Sequence, residues 1–173
     1  MRTSLEVAKL IYKSAVGIEI GIGKGDNACD ILSSWEGLNH LFLVDNFSYD
    51  GIVSTSHLQK VAEKNLEIFA GRKTFIIASS ENGAMLFKDE FLDFAYIDAN
   101  HKAPFVKKDI EVWYPKIKVG GMLCGHDYDL NEMGVMVAVN DFVTREKLFL
   151  YTDYNEFNRT GEKSDWWIFK PRK

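Results

Sequence analysis

The sequence predicts an α/β fold: a doubly wound, mostly parallel sheet of seven strands, with helices on both faces and an antiparallel edge strand. Three observations predict it. Short apolar runs alternate with longer amphipathic stretches along nearly the whole chain, the pattern of repeated βαβ units. Five of those runs end in polar or acidic residues, where open α/β sheets bind ligands beyond the carboxyl ends of their strands. The last two runs leave no room between them for a crossover helix, so they are expected to pair antiparallel at one edge.

Each element follows from local pattern. Leu5–Tyr12 reads as a short helix with Leu5, Ala8 and Ile11 or Tyr12 on one side. Val16–Ile20 is the first strand; it runs into a glycine-rich turn, and Asp26–Ser34 is a helix whose inner face is Ala28, Ile31 and Leu32. His40–Val44 is the second strand, ending at Asp45. Asn46–Ser56 is polar, contains Gly51 and is a loop. His57–Ala70 is a helix that Gly71 stops. Thr74–Ala78 is the third strand, after which Ser80 caps a helix to about Lys88. Leu92–Ile97 is the fourth strand, ending at Asp98. Pro104 suits the first position of a helix reaching Tyr114, and Pro115 closes it. Gly120-Gly121 is a turn before the fifth strand, Met122–Gly125, which ends at His126-Asp127. Gly134–Arg145 is a helix. Leu148–Thr152 and Trp166–Phe169 are the final strands, with a polar loop, Asp153–Asp165, between them. No repeat or linker interrupts the pattern, so residues 1–173 are expected to form one domain.

Composition narrows the function classes. Hydrophobic residues make up 46% and charged residues 27% of 173, enough apolar material for a proper core without staples. A net charge of −4 argues against a dedicated nucleic-acid binder. Cys29 and Cys124 lie in apolar segments outside any CxxC or zinc-type spacing, which fits reduced core thiols in a cytoplasmic protein. Met1–Leu10 lacks a secretory apolar core and no run is long enough to span a membrane, so a soluble, cytoplasmic chain without membrane association is expected. In that compartment the sequon Asn158-Arg159-Thr160 has no meaning.

The strand ends carry the chemistry. Glu19 precedes Gly21, Gly23 and Gly25 at the mouth of a helix; the glycines let a ligand approach the main chain, and the helix start offers free N–H groups. Asp45 lies about 20 residues beyond this turn, the spacing of a carboxylate that accepts from ribose hydroxyls; it also reads as a turn cap. Ser79 and Ser80 contact an adenine edge, or Ser80 simply caps its helix. Asp98, with His101 three residues on, can combine a metal ligand and a base. His126-Asp127 stand one strand over. Adjacent strands lie roughly 5 Å apart, so Asp98 and Asp127 can share a divalent ion. Oxygen donors favour Mg²⁺ or Mn²⁺, and His126 shifts the preference toward Mn²⁺, Fe²⁺ or Zn²⁺. His40 and His57 are read as structural or surface residues. Trp35, Trp113, Trp166 and Trp167 are read as core, whereas Phe47, Tyr49, Tyr128 and Tyr154 either line an acceptor pocket or anchor loops.

Taken together, these motifs resemble the class I S-adenosylmethionine-dependent methyltransferases over about Val16–Phe169. Glu19-Ile-Gly21-Ile-Gly23-Lys-Gly25 resembles the first family motif and Leu43-Val44-Asp45 the acidic second. Ile97-Asp98-Ala-Asn-His101, Gly120-Gly121, His126-Asp127-Tyr128, Gly134-Val135 and Ala138-Val139-Asn140-Asp141-Phe142 resemble the metal-dependent sugar O-methyltransferases and, more distantly, catechol O-methyltransferase. The resemblance implies a Rossmann-like fold and methyl transfer to a hydroxyl of a small molecule. It places Glu19, Gly21, Gly23, Gly25, Asp45, Ser79, Ser80 and Asp98 at the cofactor, Asp98, His126 and Asp127 at a divalent ion, and His101 as the general base. His126 stands where several relatives carry a carboxylate, and Ala78-Ser79-Ser80 replaces the usual Gly-Asp-Ser. Two other readings stay open: an NAD(P)-dependent oxidoreductase, because Gly23-Lys-Gly25-Asp-Asn-Ala28 fits G-x-G-x-x-A, and a non-catalytic cofactor-binding domain. The acceptor is not legible, and homo-oligomerisation through an edge strand or the first helix stays open.

Overall fold

The computed structural model describes residues 1–48, 56–154 and 164–172. Tyr49, Gly51, the sequon at Asn158 and most of the loop before Asp165 lie outside the described residues.

The elements in chain order are α1 (Thr3–Ile11), β1 (Ala15–Ile20), α2 (Asp26–Ser34), β2 (Leu38–Asp45), α3 (Ser56–Asn65), β3 (Lys73–Ile77), α4 (Ser80–Ala84), β4 (Leu92–Ile97), α5 (Ala103–Trp113), β5 (Ile117–Gly125), α6 (Met133–Glu146), β6 (Tyr151–Thr152) and β7 (Trp166–Phe169). They build one seven-stranded sheet in the order β3-β2-β1-β4-β5-β7-β6. Strands β3, β2, β1, β4 and β5 are parallel. β7 runs antiparallel to both β5 and β6, so the reversed strand lies one place in from the edge.

Alternation along the strands feeds two apolar cores. Ile18, Ile20, Ala95, Ile97 and Leu123 pack with α5 and α6 through Val106, Ile110, Val139 and Phe142. Leu41, Leu43, Phe94, Tyr96 and Met122 pack on the other face with Leu5, Ala28, Ile31 and Leu32 of α1 and α2. Side chains two apart on a strand share a face, and that periodicity is why the doubly wound architecture was readable. Trp35, Trp113 and Trp166 are fully buried, and Trp167 stacks on Tyr151.

Four local expectations shift. The long helix ending at Ala70 stops at Asn65 instead, and Glu67–Arg72 continues as a tighter turn. Leu66 is buried there, and the Asn65 amide donates to the Lys24 carbonyl, so tertiary contacts turn the chain. Arg72 then caps the end of α2 by donating to the carbonyls of Leu32, Trp35 and Leu38. The cap of α4 is Ser79, whose Oγ accepts from the Asn82 amide, and the helix ends at Ala84. Gly120-Gly121 is an irregularity inside β5 rather than a turn before it. Ile117 pairs with Leu92 and Met122 with Phe94, and Gly120 takes φ +78, a conformation that favours glycine. Finally, only Tyr151 and Thr152 of the predicted Leu148–Thr152 strand pair with β7.

Candidate active site

Strand β1 delivers Glu19 to the carboxyl rim between β2 and β4, its register partners being Leu43 and Tyr96. Here the sheet order reverses direction, the position at which open α/β sheets form a crevice. The chain leaves β1 through Gly21 at φ +88; a Cβ on Gly21 would lie 2.2 Å from the Asp98 carbonyl oxygen. Turn and β4 end are thus pressed together, and only glycine fits. A Cβ on Gly23 would meet nothing within 4 Å, so this part of the turn is open to a ligand. Gly25, at φ +85, stands immediately before α2.

Glu19 is almost fully buried. Its Oε1 accepts from Asn27 Nδ2 at 3.0 Å, while its Oε2 has no hydrogen-bond partner. Burial pushes its pKa up to about 8; the Asn27 hydrogen bond opposes that, and Asp98 and Asp45 add to it. Asp45, at the end of β2, orders the glycine turn. Its Oδ2 accepts from the amides of Ile22 and Gly23 at 2.8 and 3.2 Å, and its Oδ1 accepts from Phe47 N at 2.7 Å.

The ends of β4 and β5 bring Asp98, His101 and Asp127 together, with one donor atom from each lying within 4.8 Å of the others. His101 Nε2 is 3.0 Å from Asp127 Oδ2 and 3.5 Å from Asp98 Oδ1. Its Nδ1 is 3.5 Å from Glu132 Oε1. The His101 pKa is raised, first by hydrogen bonding to Asp98 and then by the charges of Asp127, Asp98 and Glu132, against a lowering by burial. Two carboxylates and an imidazole make a donor set suited to a divalent ion. Asp127 adopts φ +59, a left-handed conformation that is uncommon outside glycine and for which Asp is enriched.

His126, expected in the same ion site, stands outside this group. It is buried; its Nε2 is 2.6 Å from Arg2 Nη1, and its Nδ1 is 3.2 Å from Asp127 Oδ1. Ser79 caps α4, and the Ser80 hydroxyl accepts from the Trp113 indole N–H at 2.9 Å, so both serines are engaged in local structure. Phe47 and Tyr128 are buried, and the Tyr128 hydroxyl donates to Asn140 Oδ1; both anchor their loops.

Three groups near the site escaped the sequence reading: Glu132, Arg2 and Asp165. Glu132 belongs to a short turn, Leu130–Glu132, whose cap Asp129 accepts from the amides of Asn131 and Glu132. Asp129 followed three residues later by an acid was the local signal for it. Arg2 and Asp165 lie far from the motifs in sequence and carried none.

A family model described as "Methyltransferase domain" matches residues 18–128, from the middle of β1 to Tyr128, just past the end of β5. No curated protein matches the sequence. Solved structures do match in shape. A candidate O-methyltransferase from Klebsiella pneumoniae superposes with a TM-score of 0.75 at 14% identity, over 98% of this chain and 79% of that one. An O-methyltransferase from Bacillus cereus, in complex with SAH, gives 0.72 at 14%, over 98% and 82%. Spermidine synthase from Thermotoga maritima gives 0.69 at 17%, over 96% and 58%. Such identities establish the fold, which these enzymes share. Among the described residues no helix is long and apolar enough to cross a membrane.

Proposed function

This chain belongs to the methyltransferase-domain family, and from that premise we propose that it transfers a methyl group from S-adenosylmethionine to a hydroxyl of a small molecule, with assistance from a divalent ion. One observation carries the reading: Asp98, His101 and Asp127 converge on the same sheet rim as the half-satisfied carboxylate of Glu19. The cofactor supplies a methyl carbon activated by a sulfonium. Glu19 receives the cofactor's ammonium group, since a buried carboxylate oxygen without a donor is costly until a cation meets it. Gly23 leaves room for the cofactor against the main chain, and Asp45, already oriented by three amides, accepts from ribose hydroxyls with its remaining lone pairs.

Asp98 and Asp127 would hold the ion. When bound it supplies Lewis acidity, orienting the acceptor hydroxyl and lowering its pKa. His101 takes the hydroxyl proton on Nε2, and the carboxylates that surround it stabilise the imidazolium so formed. In-line alignment of oxygen, methyl carbon and sulfur provides the rest, through positioning.

The test combines calorimetry with turnover. S-adenosylmethionine should bind and NAD should not; methyl transfer to a panel of sugar, phenol and other hydroxyl acceptors should require Mg²⁺ or Mn²⁺. Asp98→Ala should abolish the metal-dependent turnover while cofactor still binds. Loss of cofactor binding with metal dependence intact would contradict the assignment.

A further inference from the structure

Behind the rim a line of polar groups runs from the first helix to the candidate ion site. Asp165, just before β7, accepts from Ser4 N and Ser4 Oγ of α1 at 2.9 and 2.6 Å on one oxygen. Its other oxygen accepts from the Tyr96 hydroxyl at 3.2 Å and lies 3.9 Å from His126 Nε2. Arg2 Nη1 reaches the same Nε2 at 2.6 Å. A guanidinium has only donors. Its contact therefore requires a lone pair on Nε2, and the proton of the neutral ring sits on Nδ1. Nδ1 is 3.2 Å from Asp127 Oδ1, close enough for charge–dipole attraction though not aligned as a hydrogen bond, while Asp127 Oδ2 is the oxygen 3.0 Å from His101.

We propose that His126 is a positioning residue, not an ion ligand: Arg2 locks its tautomer, and the Nδ1–H dipole so fixed draws Asp127 Oδ1 toward the ring and leaves Oδ2 turned to His101. This rests on the reading of the site given above. The chain bends to make the arrangement, since Asp127 takes φ +59 directly after His126, and such backbone persists only where its surroundings hold it. The line also explains the role of α1, whose Arg2 and Ser4 are placed under the rim by burial of Leu5 and Ala8.

Two experiments test it. In metal-free, ¹⁵N-labelled protein, long-range ¹⁵N–¹H spectra should report His126 as the Nδ1–H tautomer, and Arg2→Met should release it. A wild-type Nε2–H tautomer or imidazolium would overturn the proposal. Mn²⁺ affinity is the second readout. Asn presents an amide N–H close to the Nδ1 position and Gln one close to Nε2, so His126→Asn should stay within about threefold of wild type while His126→Gln and Arg2→Met lose about tenfold or more. Unchanged affinity for S-adenosylhomocysteine and a cooperative melt identify the variants that have kept their fold, and Arg2→Lys, which retains a donor, should behave as wild type. Equal losses in the Asn and Gln variants would make the ring a direct ligand and overturn the proposal. A wild-type protein without Mn²⁺ affinity would sink the metal-assisted reading, while the tautomer spectrum would still decide the role of Arg2.

Discussion

Glu19 makes cofactor binding depend on pH in a direction that its burial dictates. With its pKa raised to about 8, the carboxyl is neutral in the ligand-free protein over most of the neutral range, yet it must be charged to meet an ammonium group. Binding therefore expels a proton. A group with pKa about 8 is ionised to about 1% at pH 6 and about half at pH 8, so affinity should rise about 50-fold between them, about 2.3 kcal/mol at ~1.36 kcal/mol per unit. Above that only about a further twofold remains, as the second half of Glu19 ionises. Calorimetric titration of S-adenosylhomocysteine across this range measures the slope directly. Repeating it in buffers of different ionisation enthalpy at about pH 6.5 should show close to one proton released per ligand bound. Glu19→Gln removes the titrating group; it should bind weakly and lose the slope. Stability runs the other way in the ligand-free protein. Its folded-state pKa exceeds the ordinary 4.5, so stability falls as pH climbs from 4.5 to about 8. The melting-temperature gain from added ligand should accordingly widen between pH 6 and 8. A flat affinity profile in the wild type, or an equal slope in Glu19→Gln, would refute the reasoning.

Other perturbations follow from single contacts. Gly21→Ala places a Cβ 2.2 Å from the Asp98 carbonyl in a φ +88 backbone; overpacking and the left-handed conformation together should cost about 3 kcal/mol in urea denaturation. Asp109 is buried on α5 with its pKa raised to about 6, chiefly by desolvation and against a hydrogen bond from Ser80. Stability should drop as pH rises from 3.8 to about 6, by at most about 3 kcal/mol, and Asp109→Asn should abolish that dependence in pH-resolved melts. Arg72→Ala strips donors from the Leu32 and Trp35 carbonyls at the end of α2 and the Leu38 carbonyl at the start of β2 and should lower unfolding free energy by about 2 kcal/mol or more.

What could be read from the sequence was what local periodicity encodes. β4, β7 and α2 match their expected bounds because apolar alternation and helical spacing are properties of neighbouring residues. The polar ends of β1, β2, β4 and β5 were legible for the same reason: a carboxylate placed where an apolar run stops marks the rim. The direction in which a side chain turns at that rim is a tertiary matter. His101 and His126 look equivalent as strand-end histidines, yet His101 meets both carboxylates while His126 faces inward to Arg2, 124 residues away. The break after Asn65 depends on a partner that no local window contains, as does the engagement of Ser80 by Trp113, which leaves the cap to Ser79.

The reversed strand shows why Asp165 in particular was invisible. Searching for ligands at strand carboxyl ends assumes that every strand points the same way. β7 does not: Trp166 pairs with Gly125, the last residue of β5. The residue before β7 therefore arrives at the rim by its amino end, beside His126. An antiparallel strand next to β5 thus brings a further carboxylate to the rim from a direction the parallel strands do not use. The carboxylate has a structural partner set, Ser4 and Tyr96, which ties α1 to β4. The functional consequence is that α1 and β7, outside the matched 18–128 region, complete the support of a site whose recognisable residues all lie within it. Truncating α1 would leave Glu19, Asp45, Asp98 and Asp127 in place in sequence while removing the groups that face His126 and Asp165.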